Sequence, residues 1–178
     1  PGGLIIADSD AFTDKNLARA GYKSNPLEDG SLDGYRVIVI EITKRVIASV
    51  EPFGLSHKFA VRCKNMWTLG LVMWLFDRDR SITVGNLEKK FANKTDIAQA
   101  NIAALNSGHS YAETAELPSG VEVYQIPRAE VKPGLYRNAT GSDALAYGLI
   151  AGGRLADIPI TFASYPITPA SSLLHTLA

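Results

Sequence analysis

The residues best placed to do chemistry lie in one stretch, Ser164-Tyr165-Pro166-Ile167-Thr168-Pro169-Ala170-Ser171-Ser172, where two prolines bracket a threonine. Each proline fixes its own φ and pushes the residues before it toward extended geometry, so the turn is stiff. Pro169 suits the front of a helix, where a missing N–H leaves nothing unsatisfied, and Thr168 then stands where an N-cap would. The result is a crevice between a strand and a helix, holding a hydroxyl, free backbone N–H groups and a positive helix end. Such a corner suits a small anion or a carboxylate. A rigid structural turn would use the same residues, and residue types alone leave both readings open.

Elsewhere the reactive side chains are scattered. His57, His109 and His175 lie far apart with no metal-ligand spacing and read as polar or helix-end residues. Cys63 is the sole cysteine, which excludes an internal disulfide framework and a self-contained cysteine-ligated cluster. It reads as a small core residue. Asp8, Asp10 and Asp14 carry enough charge for a cation site, but caps and a solvated loop account for them more simply. Trp67 and Trp74, seven apart on one helix, read as core or interface. Gly2-Gly3 lacks the rest of a phosphate loop.

Stepping out to the elements, Leu4-Ile5-Ile6-Ala7 reads as a short buried strand between Gly2-Gly3 and Asp8-Ser9-Asp10. A short helix is expected within 10–20. Tyr35 to Ile42, rich in β-branched residues, is the clearest strand, and Thr43 is expected to cap a helical run through Val50 that Pro52 ends. Ser56 to Phe76 predicts one long helix, with Gly70 where a second helix could approach closely. A further helix is expected over Val84 to Lys94, with Leu87, Phe91 and Lys94 on one face. Asp96 is expected to cap the next, which Asn106 and Gly108 should stop. Strands alternating with helices indicate an α/β layered chain.

Glu113 to Gly120 is polar, Val121 to Pro127 reads as a strand, and the charged run after it contains Pro133-Gly134. A linker is therefore placed at residues 112–134. Beyond it, Ala144 to Leu155 predicts a helix whose Ala144, Gly148 and Gly152 line one face, suited to close packing on a sheet. Ile158 to Ala163 reads as the strand that delivers Tyr165 to the corner.

Of the 178 residues, 46% are hydrophobic, the mean hydropathy is +0.02, and 18 basic side chains balance 18 acidic ones. No basic run favours nucleic acid or an anionic membrane surface. The longest apolar run, Met66 to Phe76, is too short to span a bilayer. No charged n-region or secretory h-region opens the chain, and a cytoplasmic protein is expected. The two Asn-x-Thr triplets then carry no glycan. With Pro1 continuing a strand and Ala178 falling within a helix, the expectation is a piece of a longer polypeptide.

Tyr165-Pro166-Ile167-Thr168-Pro169 resembles the signature of the α subunit of 2-oxoacid:ferredoxin oxidoreductases, where it opens the thiamine-diphosphate-binding, pyrimidine-type domain. Upstream, Tyr136-Arg137-x-x-Thr140-Gly141-x-x-Ala144-Leu145-Ala146-x-Gly148 resembles the start of that domain, and Ser171 to Ala178 the helix after the motif. Lys64-Asn65-Met66-x-x-Leu69-Gly70, Phe91-Ala92-x-Lys94 and Ala100-Asn101-x-x-Ala104-Leu105-x-x-Gly108 resemble the C-terminal part of the family's γ domain. Ser142 stands where the family has Asn, and the glycine-rich opening of the γ domain is absent.

The resemblance implies an α/β chain in three parts: residues 1–111 from a γ-type domain, the linker 112–134, and residues 135–178 opening the α-subunit domain. It implies a fused γ–α subunit of the 2-oxoglutarate type, with pyruvate or another 2-oxoacid as alternatives. The implied reaction is thiamine-dependent oxidative decarboxylation of a 2-oxoacid with coenzyme A, the electrons passing to ferredoxin. By the same resemblance Thr168 contacts the 2-oxoacid, and Tyr165 and Ile167 line the wall near the cofactor. Thiamine diphosphate, Mg²⁺ and an iron–sulfur cluster are implied to be held by or shared with a partner β subunit, in a hetro-oligomer-type assembly that leaves this piece inactive alone. A non-catalytic assembly role is the other reading.

Overall fold

The structure is a computed structural model that describes residues 2–115, 121–127, 129–165, 167–168 and 171–178. It divides into two compact units, Pro1–Arg128 and Ala129–Ala178. The chain is α/β. In the first unit, strand β1 (Leu4–Asp8) pairs in parallel with β2 (Arg36–Ile40), Leu4 opposite Arg36 and Asp8 opposite Ile40. Parallel pairing requires a crossover. It is supplied by a 3₁₀ turn (Ser9–Ala11), helix α1 (Asp14–Arg19) and a loop to Tyr35. Alternation along β2 buries Ile38 and Ile40 and leaves Val39 outward.

Helix α2 (Ile42–Val50) follows β2 directly, and its buried residues Ile42, Val46 and Val50 recur every fourth position. The long helix expected over Ser56 to Phe76 is instead two, α3 (His57–Arg62) and α4 (Lys64–Leu75), joined at Cys63. There ψ is −5°, and the Cys63 carbonyl accepts from both Met66 and Trp67 N–H. No residue type marks the joint: tertiary packing of α4 sets it against local propensity. Next come α5 (Ser81–Lys90) and α6 (Thr95–Thr114). The former starts earlier than Val84 because the Asp79 carboxylate accepts from Ser81 N–H, and it closes at Phe91 rather than Lys94.

The stop expected at Asn106 and Gly108 does not occur, and α6 runs on to Thr114. Gly108 is a crossing point instead. A Cβ there would stand 1.9 Å from the Trp67 carbonyl oxygen, and one at Gly70 would stand 1.9 Å from that of Leu105. The close approach foreseen at Gly70 is therefore real, and its partner helix is α6. Around this crossing Trp67, Leu71, Leu75, Leu105, Val46 and Val50 are the largest fully buried side chains. Each such burial contributes on the order of 1.5–3 kcal/mol. Asp96 is not the N-cap of α6: it sits in the first turn, where its charge still favours the helix dipole.

After α6, residues 121–127 form no strand, but the segment is anchored. Tyr124 N–H donates to the Leu75 carbonyl at 2.6 Å, and its ring stands 5.6 Å from that of Phe76.

The second unit holds α7 (Gly141–Ala156) and α8 (Ser171–Leu177). Thr140 opens α7 with a capping box, exchanging hydrogen bonds with Asp143. Asp157, with φ of 52°, closes it, and Ile158 N–H donates back to the Gly153 carbonyl. Ile158 to Ala163 forms no strand, and among the described residues of this unit there is no sheet. Gly148 and Gly152 accordingly face open space, while the tight contact falls at Gly153 against Ile160. The partner of α7 is α8, tied by the Thr176 hydroxyl donating to Asp143 Oδ1 at 3.2 Å.

Candidate functional site

Two places gather polar groups, and they differ in what they leave available. The first is the end of β1. Asp8 Oδ1 accepts from Ile42 N–H at 3.0 Å and Thr43 N–H at 3.4 Å, and Oδ2 accepts from the Thr43 hydroxyl at 2.8 Å. Lys64 Nζ closes the group 3.0 Å from Oδ2. Beside it, Asp10 Oδ2 accepts from Lys44 N–H at 2.9 Å. The first amides of α2 are thus satisfied by carboxylates from a distant strand end, and Thr43 sits inside the helix rather than capping it.

Burial of the Asp8 carboxyl pushes its pKa up. The Thr43 hydroxyl and the Lys64 ammonium outweigh that and hold it below the usual carboxylate value. Asp14 meanwhile sits in the first turn of α1. Asp8 and Asp10 accept from backbone amides at helix starts while Thr13, not Asp14, caps α1, and among the described residues no three His, Cys, Asp or Glu side chains gather to hold a metal.

The second place is the corner at Thr168. Ile167 N–H donates to the Tyr165 carbonyl at 2.8 Å, and both N–H and hydroxyl of Ser171 donate to the Ile167 carbonyl. These bonds fold the chain back at Ile167 just before α8 begins. Tyr165 is 83% exposed and Ile167 61% exposed, so both side chains face outward. Thr168 is exposed too, and among the described residues its hydroxyl makes no hydrogen bond. Pro166, Pro169 and Ala170 lie outside the described residues, and with them the proposed Pro169 helix start. The three residues singled out from sequence are therefore all exposed, close together along the chain just before α8.

The histidines stay apart. His57 begins α3, His175 is in the last turn of α8, and His109 lies in the C-terminal half of α6. Burial, reinforced by the Arg80 charge, pushes the His109 pKa down, against the pull of Glu113. Cys63 is buried, and burial raises its thiol pKa, which suits a packing residue. The Asp8–Thr43–Lys64 group escaped sequence reading because its members are up to 56 residues apart.

Residues 1–111 match the protein-family model described as pyruvate ferredoxin/flavodoxin oxidoreductase. Over 177 residues, 99% of this chain, the sequence is 44% identical to the 2-oxoglutarate oxidoreductase subunit KorA of Mycobacterium tuberculosis, covering 27% of that protein. Over 136 residues, 76% of this chain, it is 30% identical to 2-oxoacid:ferredoxin oxidoreductase 1, subunit alpha, of Aeropyrum pernix, covering 20% of it. The chain thus spans about a quarter of the length of these relatives. No solved structure matches it.

Proposed function

For a chain that belongs to the pyruvate ferredoxin/flavodoxin oxidoreductase family, we propose the role of an α-subunit segment in a cytoplasmic 2-oxoacid:ferredoxin oxidoreductase acting on 2-oxoglutarate. The observation that carries this reading is the similarity, over nearly the whole chain, to a protein named as a 2-oxoglutarate oxidoreductase subunit. The reaction is oxidative decarboxylation with coenzyme A, giving succinyl-coenzyme A and carbon dioxide and passing two electrons to ferredoxin. On this reading residues 1–111 are the C-terminal part of a γ-type domain, 112–134 the linker, and 135–178 the opening of the α-subunit domain.

The described residues do not fit the enzyme's metal groups. Cys63 is the sole cysteine and is buried, and among the described residues no metal-binding cluster of side chains forms. We assign the iron–sulfur cluster to the partner β subunit, and thiamine diphosphate and Mg²⁺ to that subunit or to a site shared with it. What this chain contributes is orientation. The free Thr168 hydroxyl donates to the 2-oxoacid, and a hydrogen bond to a charged acceptor is worth about 1.5–3 kcal/mol. Tyr165 and Ile167, exposed beside it, supply an apolar wall against which the substrate and cofactor are held.

The test uses the complete polypeptide assembled with its β subunit and loaded with cofactors. Coenzyme A-dependent reduction of ferredoxin is measured with 2-oxoglutarate, pyruvate and a branched 2-oxoacid. Preferred turnover of 2-oxoglutarate is the expected outcome. A preference for pyruvate would move the substrate assignment, and no turnover with any 2-oxoacid would overturn the reading.

A further inference from the structure

The turn that carries Thr168 is held from the helix that follows it. Ser171, the first residue of α8, gives both of its donors to one acceptor. Its N–H reaches the Ile167 carbonyl oxygen at 2.9 Å, and its hydroxyl reaches the same oxygen at 3.1 Å. A carbonyl oxygen has two lone pairs, and Ser171 occupies both. That oxygen belongs to the planar peptide unit joining Ile167 to Thr168, so holding it holds the plane in which the Thr168 N and Cα lie. On its other side Ile167 N–H donates to the Tyr165 carbonyl at 2.8 Å, which leaves neither backbone group of Ile167 loose.

Less would close the turn. The N–H bond is the ordinary helical one to the residue four before, and any residue except proline supplies it. The hydroxyl bond is additional, and it needs Ser or Thr at this position. Ser171 is partly buried, whereas Thr168 is exposed. The helix behind Ser171 has a fixed place of its own. Its Thr176 hydroxyl donates to Asp143 Oδ1, and Asp143 is locked in the Thr140 capping box of α7. Leu174 and Leu177 of α8 join Ile150, Ile160 and Phe162 around an apolar cavity of about 310 Å³. The doubled bond from Ser171 therefore ties the Thr168 backbone to a helix that is itself anchored to α7.

We propose that Ser171 is a positioning residue for Thr168, its hydroxyl fixing the Ile167 carbonyl so that the Thr168 hydroxyl keeps one direction. The proposal rests on the substrate contact assigned to Thr168 above. Ser171 itself touches neither substrate nor cofactor. Without its hydroxyl the Ile167 carbonyl keeps a single bond and can tilt, and the Thr168 hydroxyl spends less time aligned on the 2-oxoacid. Such a loss falls on kcat more than on KM.

The test is steady-state kinetics of the complete, cofactor-loaded assembly with 2-oxoglutarate, for wild type, Ser171→Ala, Ser171→Thr, Thr168→Val and the Ser171→Ala/Thr168→Val pair. Ser171→Ala is expected to lower kcat by about three- to tenfold, the range of one neutral hydrogen bond, with KM within about twofold. Ser171→Thr restores the hydroxyl and should keep kcat within about twofold of wild type. In the Thr168→Val background, Ser171→Ala should cost nothing further, because the group it positions is gone. An undiminished kcat in Ser171→Ala beside a low one in Thr168→Val would overturn the positioning role alone. A threonine variant as slow as the alanine one, or a full additional loss in the double variant, would also overturn it, since Ser171 would then act through the stability of α8. An unchanged kcat in Thr168→Val would overturn the substrate contact and the positioning role together.

Discussion

Gly70 and Gly108 lie on facing sides of one helix crossing, each pressed against the other helix's backbone. A Cβ at either position would stand 1.9 Å from a carbonyl oxygen of the opposite chain segment, Leu105 for Gly70 and Trp67 for Gly108. Backbone cannot swing aside as a side chain can. Gly70→Ala and Gly108→Ala are each expected to destabilise the first unit by about 2–3 kcal/mol or more, read as a fall in the urea midpoint. Gly85→Ala in α5 is the control: nothing lies within 4 Å of its added methyl, so it is expected to stabilise by about 0.5–1 kcal/mol. Similar losses at all three positions would mean that helix propensity, not the crossing, sets the effect.

Asp8 ties β1 to α2 and α4. Its Asp8→Asn variant keeps the shape but loses the charge facing Lys64, and it is expected to cost about 2–3 kcal/mol. The pH dependence follows from the lowered pKa. A carboxyl depressed in the folded state contributes stability that is complete above its unfolded pKa and is lost as pH falls through the folded one. Wild-type unfolding free energy is therefore expected to drop as pH falls from 5 toward 3, about the carboxylate range. The variant should show a shallower drop across the same interval; equal slopes would assign the acid sensitivity elsewhere.

Thr140 caps α7 and shares Asp143 with Thr176 of α8. Thr140→Ala is expected to cost about 1 kcal/mol, the usual loss for an N-cap. Because Asp143 joins two helices, amide exchange in α8 should accelerate along with that in the first turn of α7. Acceleration confined to α7 would show that the Asp143–Thr176 bond carries no coupling.

Thr168→Val removes the hydroxyl at nearly constant volume, and Thr168→Ser keeps it. If the hydroxyl orients substrate, kcat should fall by about ten- to a hundredfold in the first and stay within a few-fold in the second. A change in KM alone would make it a ground-state contact. No change in either constant would leave Thr168 a turn residue.

How far the sequence could be read depends on the reach of each signal. β1, β2 and α7 announce themselves through local patterns, an apolar run and a β-branched run in the strands and the Ala- and Gly-rich run 144–155 in the helix. At Thr168 only a turn before α8 was legible from consecutive residues, and the strand expected to lead into it does not form. Gly108 was misread as a helix stop, since a glycine at a crossing and a glycine at a C-terminus look alike without the partner helix. The joint at Cys63 carries no residue-type mark at all. The Asp8–Thr43–Lys64 group was invisible for a third reason: its members come from β1, α2 and α4 and meet only after folding.

The paired glycines also restrict how this unit can move. Sliding α6 along α4 by one turn, about 5.4 Å, would bring Ala104 or Ala112 to the place of Gly108 and drive a methyl group into the Trp67 carbonyl. Intermediate positions fare no better, because Leu105 follows Ala104. The two helices therefore have one register and translate together as a single rigid strut. Shear is closed to this pair, and rearrangement in the unit has to be of the hinge kind. The joints available flank α4: Cys63, where the helix is already broken, and Asp77 just past its C-cap, whose φ of 47° already turns the chain.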